Sequence, residues 1–365
     1  MNFSGSYLPA DVIFLLKAVD MQPTETEARE RLIQSGRRHY SEMLGVEKTP
    51  DPSYMGLFWA AFQRNRDRFA RDVAALAKEI SARRGGVIAL ASLARAGTPV
   101  GVLLRRALRA LGREVFHYSV SIIRDRGIDE VALDHIVAAH GDRSVVFVDG
   151  WTGKGAITAE LNRRVGDYNA ARGSDVDASL AVVADLAGVA GLAATSEDYL
   201  IPSSVLNAIV SGLVSRTVLN ASHVGPGDFH ACVYHGELAP HDISRRFVDE
   251  VTVPMLDALT DATCLPAALD PAGLAERRAG CALFMTSCME RHRVTDRNRV
   301  KPGIGEATRS LLRRVPEALI VRDPGHHDVA HLMQLACSRG VPVVVDPTLA
   351  PPYRAAAVIK TMGEG

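Results

Sequence analysis

Short apolar runs alternate with amphipathic stretches through the middle of the chain. From Gly86 the order is VIALA, then VGVLLRRALRAL with apolar residues at three and four spacing, then FHYSVSII, DEVALDHIVAAH and VVFVD. Brief apolar runs read as buried strands and three-four spacing as helices. The alternation therefore predicts βαβαβ, with strands apolar on both faces as in a mostly parallel sheet. LAVVADL extends the sheet, and a helix is expected through SSVLNAIVSGLVSR. Between Arg31 and Arg84 the text is helical and highly charged, which predicts an accessory helical layer. Arg105, Arg109 and Arg113 recur every four residues and mark a solvated helix face.

A different pattern begins near residue 265. LPAALDPAGLAERRAG and the basic ERHRVTDRNRVK read as a connecting segment. GEATRSLLRRV, EALIVRD, HDVAHLMQLACSRG and VPVVVDP then alternate helix and strand. The chain is thus an α/β protein with a helical extension at 1–85, a sheet domain at 86–264, a connection at 265–300 and a small α/β domain at 301–365.

Length and composition narrow the class. At 365 residues two domains fit, and 47% hydrophobic with 23% charged residues excludes extensive disorder. A formal net charge of +0 removes any global basic field, so nucleic acid would need a local patch. The first apolar run, Val12 to Leu16, is too short and too acidic in its approach for a secretion signal. Five cysteines without a Cys-x-x-Cys pair argue against a disulfide framework or zinc ribbon, and a cytoplasmic setting is expected.

VVFVDGWTGKGAI, Val145 to Ile157, carries the first candidate chemistry. It reads as a strand ending at Asp149, a glycine-rich turn, then a helix. A nucleotide P-loop fails because Val148 stands where its first glycine belongs and Gly155 follows the lysine. A dinucleotide fingerprint fails because Gly153-Lys154-Gly155 is followed by Ala156, Ile157 and Thr158. What remains is a turn whose N–H groups and helix dipole suit an anion, beside an acid at the carboxyl edge of a sheet.

That segment resembles the ribose-phosphate loop of the phosphoribosyltransferases. The resemblance implies that Asp149 takes ribose hydroxyls and that Gly150, Trp151, Thr152, Gly153, Lys154 and Gly155 form the loop cradling the 5′-phosphate. Gly150 stands where that family usually has a second acid. SLARAGTPVG is similar to the family's pyrophosphate loop, which implies leaving-group contacts from Arg95, Ala96, Gly97 and Thr98. SIIRDRGID occupies the place of its mobile cover, with Arg124 and Arg126 as cations for pyrophosphate. Donor and metal follow by implication: phosphoribosyl pyrophosphate, with Mg2+ bound mainly through it. Ser203, Ser204, Asn207 and Arg216 are candidates to face the acceptor, and for the two serines capping and packing is the simpler role.

Over most of the chain the text resembles one divergent branch, the phosphoribosyltransferase-like proteins of bacterial tellurite-resistance and stress-response clusters, a family also labelled cysteine protease StiP. The protease label directs attention to His230, Cys232 and His235. In a strand His230 and Cys232 share a face, so a cysteine hydrolase is an alternative; a zinc site from the trio is weaker. A non-catalytic nucleotide sensor is a further alternative. The C-terminal text resembles a Pelota-like RNA-binding domain, which implies RNA contacts from Gly303, Gly305, Glu306 and Arg309. Arg291, Arg293, Arg297, Arg299 and Lys301 supply a basic patch just upstream. Homodimers are common in families of this resemblance.

Overall fold

The structure, a computed structural model, describes residues 3–266 and 270–362. Six strands form the main sheet: β1 (Ile13–Phe14), β2 (Ile88–Leu93), β3 (Val115–Val120), β4 (Val145–Thr152), β5 (Leu180–Asp185) and β6 (Leu192–Thr195). They lie in the spatial order 1-3-2-4-5-6, every pair parallel. Alternate strand residues enter opposite cores. Leu90, Val146, Val148 and Val183 pack with α2 (Pro52–Arg83), α3 (Gly97–Ala110) and α6 (Ser244–Thr260). Ala89, Ala91, Phe147 and Val182 pack with α4 (Glu130–His140) and α5 (Ala156–Arg172). Covering both faces is why the strands read as unbroken apolar runs.

The extension before the sheet is more than helical. Besides α1 (Thr26–Gln34) it supplies the edge strand β1, whose Ile13 and Phe14 pair with Tyr118 and Ser119. Inside the stretch read as a connection lies α7 (Pro271–Arg291), with the Asp270 carboxylate accepting from the Gly273 N–H at 2.7 Å and proline in the first turn.

The helix expected through SSVLNAIVSGLVSR does not form. Short 3₁₀ turns at Pro202–Val205 and Ala208–Val210 replace it, and the chain reverses at Gly212 and Leu213, whose φ values are 84° and 58°. Val205, Ile209, Val210, Leu213 and Val214 are all buried, so the segment has no polar face to give a surface helix. The Tyr54 and Tyr7 hydroxyls donate to the carbonyls of Val205 and Val210 at 2.8 and 2.9 Å, replacing helical partners.

A second sheet is built from β7 (Val300–Pro302), β8 (Pro316–Val321), β9 (Val343–Val345) and β10 (Ala355–Ile359), in the order 7-10-8-9. Helices α8 (Ile304–Arg313) and α9 (Ala330–Ser338) complete this smaller domain. It docks on the main sheet through buried polar contacts. Asp198 accepts from the N–H groups of Ile304 and Arg354 at 2.9 and 2.8 Å. The Tyr353 hydroxyl donates to the Gly153 carbonyl at 2.8 Å, and Asn65 donates to Asp328 at 3.0 Å. These buried groups find their partners across the junction, which fixes the docking geometry. Among the described residues no helix is long and apolar enough to cross a membrane.

Candidate active-site cavity

Neighbouring strands β2 and β4 send their helices to opposite faces, α3 to one core and α5 to the other. A crevice opens at their carboxyl ends, where open α/β sheets bind ligands. Neither helix start is capped by a side chain: Ala96 precedes α3 and Gly155 precedes α5. The start of α5 faces the crevice with its free N–H groups and positive dipole end, whereas at the start of α3 Pro99 has no N–H and the Thr98 N–H donates to the Arg95 carbonyl at 3.2 Å, leaving the dipole end behind the Ala94–Ala96 turn. A cavity of about 990 Å³ occupies it, lined from the sheet side by Ala94 to Ala96, Asp149 and Trp151 to Ile157. Gly97 makes the convergence possible. A Cβ there would lie 2.5 Å from the Val148 carbonyl oxygen and 3.1 Å from Asp149 Cα.

Asp149 is half-buried in this cavity and accepts from the Gly150 N–H at 2.8 Å. Burial lifts its carboxyl to about 6, opposed by the Arg309 guanidinium and the Gly150 hydrogen bond. Strand β4 does not end at Asp149 as the sequence suggests; it continues to Thr152, leaving Gly153 to Gly155 as the turn. The extension follows from pairing, since Trp151 and Thr152 stand opposite Ala184 and Asp185 of β5.

The turn is covered by the C-terminal domain. Lys154 Nζ donates to the carbonyls of Arg297 and Val300 at 2.6 and 2.8 Å, and burial lowers its pKa to about 7. Arg309 lies over the Trp151 ring at 4.5 Å, and the indole Nε1 is buried without a partner. Thr152 Oγ1 accepts from the Gly155 N–H at 3.2 Å. What the turn offers an anion is thus the start of α5 more than the lysine.

The other sequence-predicted residues divide. Arg124 and Arg126 sit at the tip of a hairpin, Ile122–Ile123 against Gly127–Ile128, and line the cavity. Arg124 reaches Asp125 at 3.1 Å and Asn298 at 3.0 Å, and Arg126 reaches Glu42 at 3.0 Å. Arg95 lines the cavity but is 6% exposed; its guanidinium grips Glu47 at 2.9 and 3.0 Å and the Val214 carbonyl at 2.7 Å. Thr98 turns inward to the Ser119 hydroxyl at 2.8 Å, away from the cavity. Arg216 lines the wall, donating to the carbonyls of Tyr40 and Met43, with burial lowering its pKa to about 9. Asn207 accepts from Arg313, and Ser203 and Ser204 are buried; none of the three lines the cavity.

Gly303, Gly305, Glu306 and Arg309 point into the junction between domains. A Cβ on Gly305 would lie 2.5 Å from the Trp151 ring, and one on Gly303 would lie 2.6 Å from the Leu186 side chain. Glu306 and Arg309 line the cavity. Arg299 and Lys301 of the upstream basic patch line it too, and sequence reasoning missed Arg29, Arg37, Arg38, Arg313 and Arg314, which line it as well. In all, thirteen Lys and Arg residues face five carboxylates around this space, so a neutral protein carries a strongly positive cavity. The charge runs RERLIQSGRRH and SLLRRV were visible, but nothing local shows that they meet.

The proposed cysteine trio does not assemble. Cys232 is fully buried and burial pushes its thiol up to about 12. His230 Nδ1 instead meets the Ser121 hydroxyl, and His235 Nδ1 meets Glu237, both at 2.8 Å. Cys264, Cys281 and Cys288 are buried, Cys337 is exposed, and no cysteine lines the cavity.

Residues 5–252 match the model of a family described as "Tellurite-like stress resistance cysteine protease StiP", and residues 280–361 match the PELOTA RNA binding domain. A protein of Acinetobacter baylyi (strain ATCC 33305 / BD413 / ADP1) named cysteine protease StiP is 39% identical over 372 residues, covering 100% of this chain and 96% of its own. Two solved structures were also matched. One, titled as an analysis of an invariant aspartic acid in HPRTs, is 12% identical with a TM-score of 0.27, over 47% of this chain and 94% of its own. The other, hypoxanthine phosphoribosyltransferase from Trypanosoma cruzi with the product IMP, is 14% identical with a TM-score of 0.29, over 50% and 87%.

Proposed function

The chain belongs to the tellurite-like stress resistance cysteine protease StiP family, and from the construction of its cavity we propose that it transfers a 5-phosphoribosyl group from phosphoribosyl pyrophosphate to a nucleophilic acceptor. One observation carries the reading: Asp149 stands between the start of α5 and the Ala94–Ala96 turn before α3 in one cation-rich cavity. A sugar bearing phosphate at both ends matches that layout. The start of α5 takes the 5′-phosphate, the turn before α3 with Arg124 and Arg126 takes pyrophosphate, and Asp149 takes the ribose hydroxyls between them. The acceptor forms its bond to C1 as the C1–O bond breaks. That electron pair leaves on pyrophosphate, and a proton carried by the acceptor passes to water.

The chemistry asked of the protein is electrostatic. Arg124 and Arg126 neutralise the departing charge, and ionised Asp149 lies close to the carbon where positive charge develops. For magnesium, β4 provides a single carboxylate, Asp149, among many cations, which suits an ion held mainly by the donor's own phosphates. Its contribution when bound is to neutralise the leaving pyrophosphate.

Calorimetry with phosphoribosyl pyrophosphate and magnesium, followed by pyrophosphate release across acceptors, tests this reading. No binding removes it; binding without turnover across a broad panel favours a nucleotide sensor, the outcome that glycine at 150 allows. Peptide hydrolysis abolished by Cys232→Ser would restore the protease reading, against which the buried, high-pKa thiol stands.

A further inference from the structure

Beside the main cavity lies an annex of about 160 Å³. One water needs about 10–15 Å³ of such space, so the annex has room for a phosphate or carboxylate group. Eight residues line both spaces, which makes them continuous. Arg29 comes from α1, Arg95 from the turn after β2, Lys301 from β7 and Arg313 from α8, so the annex exists only with the C-terminal domain in place.

Its charge is unbalanced. Seven cations line it against two carboxylates, Glu47 and Glu306. Glu47 is already committed, accepting from Arg95 and from the Ala208 N–H at 3.0 Å. Arg29 donates to the Arg313 carbonyl and Arg313 donates to Asn207, neither to an acid. The Nε atoms of Arg29, Arg95, Arg216 and Arg313 are all buried without a partner, and Arg29 and Arg95 are only 5% and 6% exposed. Burial first, and then neighbouring guanidiniums, lower the pKa of Arg29, Arg216 and Arg313, partly offset at Arg29 by Glu30, which pairs with Arg314, and at Arg313 by Glu47. A buried charge without a counter-charge is destabilising, and an incoming anion relieves it.

We infer that the annex receives an anionic group of the second substrate, so that the acceptor of the phosphoribosyl group is a phosphate- or carboxylate-bearing molecule. This rests on the function proposed above. It also gives the C-terminal domain a part in the reaction, as one wall of the acceptor site.

The test offers full-length protein labelled phosphoribosyl pyrophosphate with matched nitrogen heterocycles, one uncharged, one carboxylated and one carrying a phosphate ester. Product from a charged member only is expected, and its identity distinguishes carboxylate from phosphate. Lys301→Met should raise the acceptor KM at least tenfold and weaken donor binding by a much smaller factor. Equal use of the uncharged member overturns the inference, as does an unchanged KM or an equal loss of donor affinity. Arg313→Lys, which keeps the charge but not the planar fork, provides the second variant should Lys301→Met fold poorly, and the same KM criterion applies. If phosphoribosyl pyrophosphate does not bind at all, the transferase reading fails by itself. The annex is then judged by inorganic phosphate, which should raise the melting temperature of the unaltered chain and not of Lys301→Met; no rise overturns the site.

Discussion

Replacing Asp149 by Asn separates a ligand-binding role from a structural one. The carboxyl is raised from the ordinary 3.8 to about 6 because burial penalises its charge. A carboxyl shifted upward by folding favours the native state fully below 3.8, and that contribution is lost as pH rises through about 6. At pH 7.5 the folded protein therefore carries an ionised, partly desolvated carboxylate that costs up to about 3 kcal/mol relative to a neutral group. Solvent in the cavity reduces the cost to about 1–2 kcal/mol. Asn retains an oxygen for the Gly150 N–H. Asp149→Asn should be more stable than the parent by that amount at pH 7.5, with most of the gain gone near pH 4. Urea unfolding followed by tryptophan fluorescence at both pH values measures it. Calorimetry should show donor affinity reduced about 10- to 100-fold, the value of a charged hydrogen bond lost. A variant less stable at pH 7.5, a gain independent of pH, or unchanged donor affinity would refute the reasoning.

Other consequences follow from the same geometry. Gly97→Ala should destabilise by about 3 kcal/mol in urea unfolding, because the clashing Val148 carbonyl belongs to a central strand and cannot withdraw. Gly305→Ala should loosen the domain junction by about 1–3 kcal/mol and shift Trp151 emission to the red, since the added Cβ meets that ring. Donor binding by the unaltered chain should weaken as pH falls through about 6, as Asp149 takes up its proton, which calorimetry across pH 5 to 8 would record. Alkylation of the folded protein should label Cys337 first by peptide mass mapping and leave pyrophosphate release unchanged, because the other cysteines are buried.

The parallel sheet was legible because both of its faces are covered, so β2, β4 and β5 appear as continuous apolar text that local pattern can find. Asp149 and the Gly153 to Gly155 turn were legible for a related reason: an acid and glycines at a strand end need no distant partner to stand out. The region after Ser203 was not. Its helical look reflects composition, while tyrosine hydroxyls from remote segments take the carbonyls and a buried surround removes any polar face.

By itself, then, the sequence determined the four inner strands β2 to β5, the helices between them and the acid and turn that line the crevice, all features set by residues near one another. Tertiary structure alone decided what that crevice became. It engaged Lys154 with two carbonyls of the C-terminal domain, locked Arg95 onto Glu47, and turned Gly305 and Arg309 onto Trp151. It also gathered Arg29, Lys301 and Arg313 around one annex of the cavity. The physical reason is that a salt bridge or a charge cluster is a property of distance in space, and these partners are separated by about 50 to 280 positions along the chain.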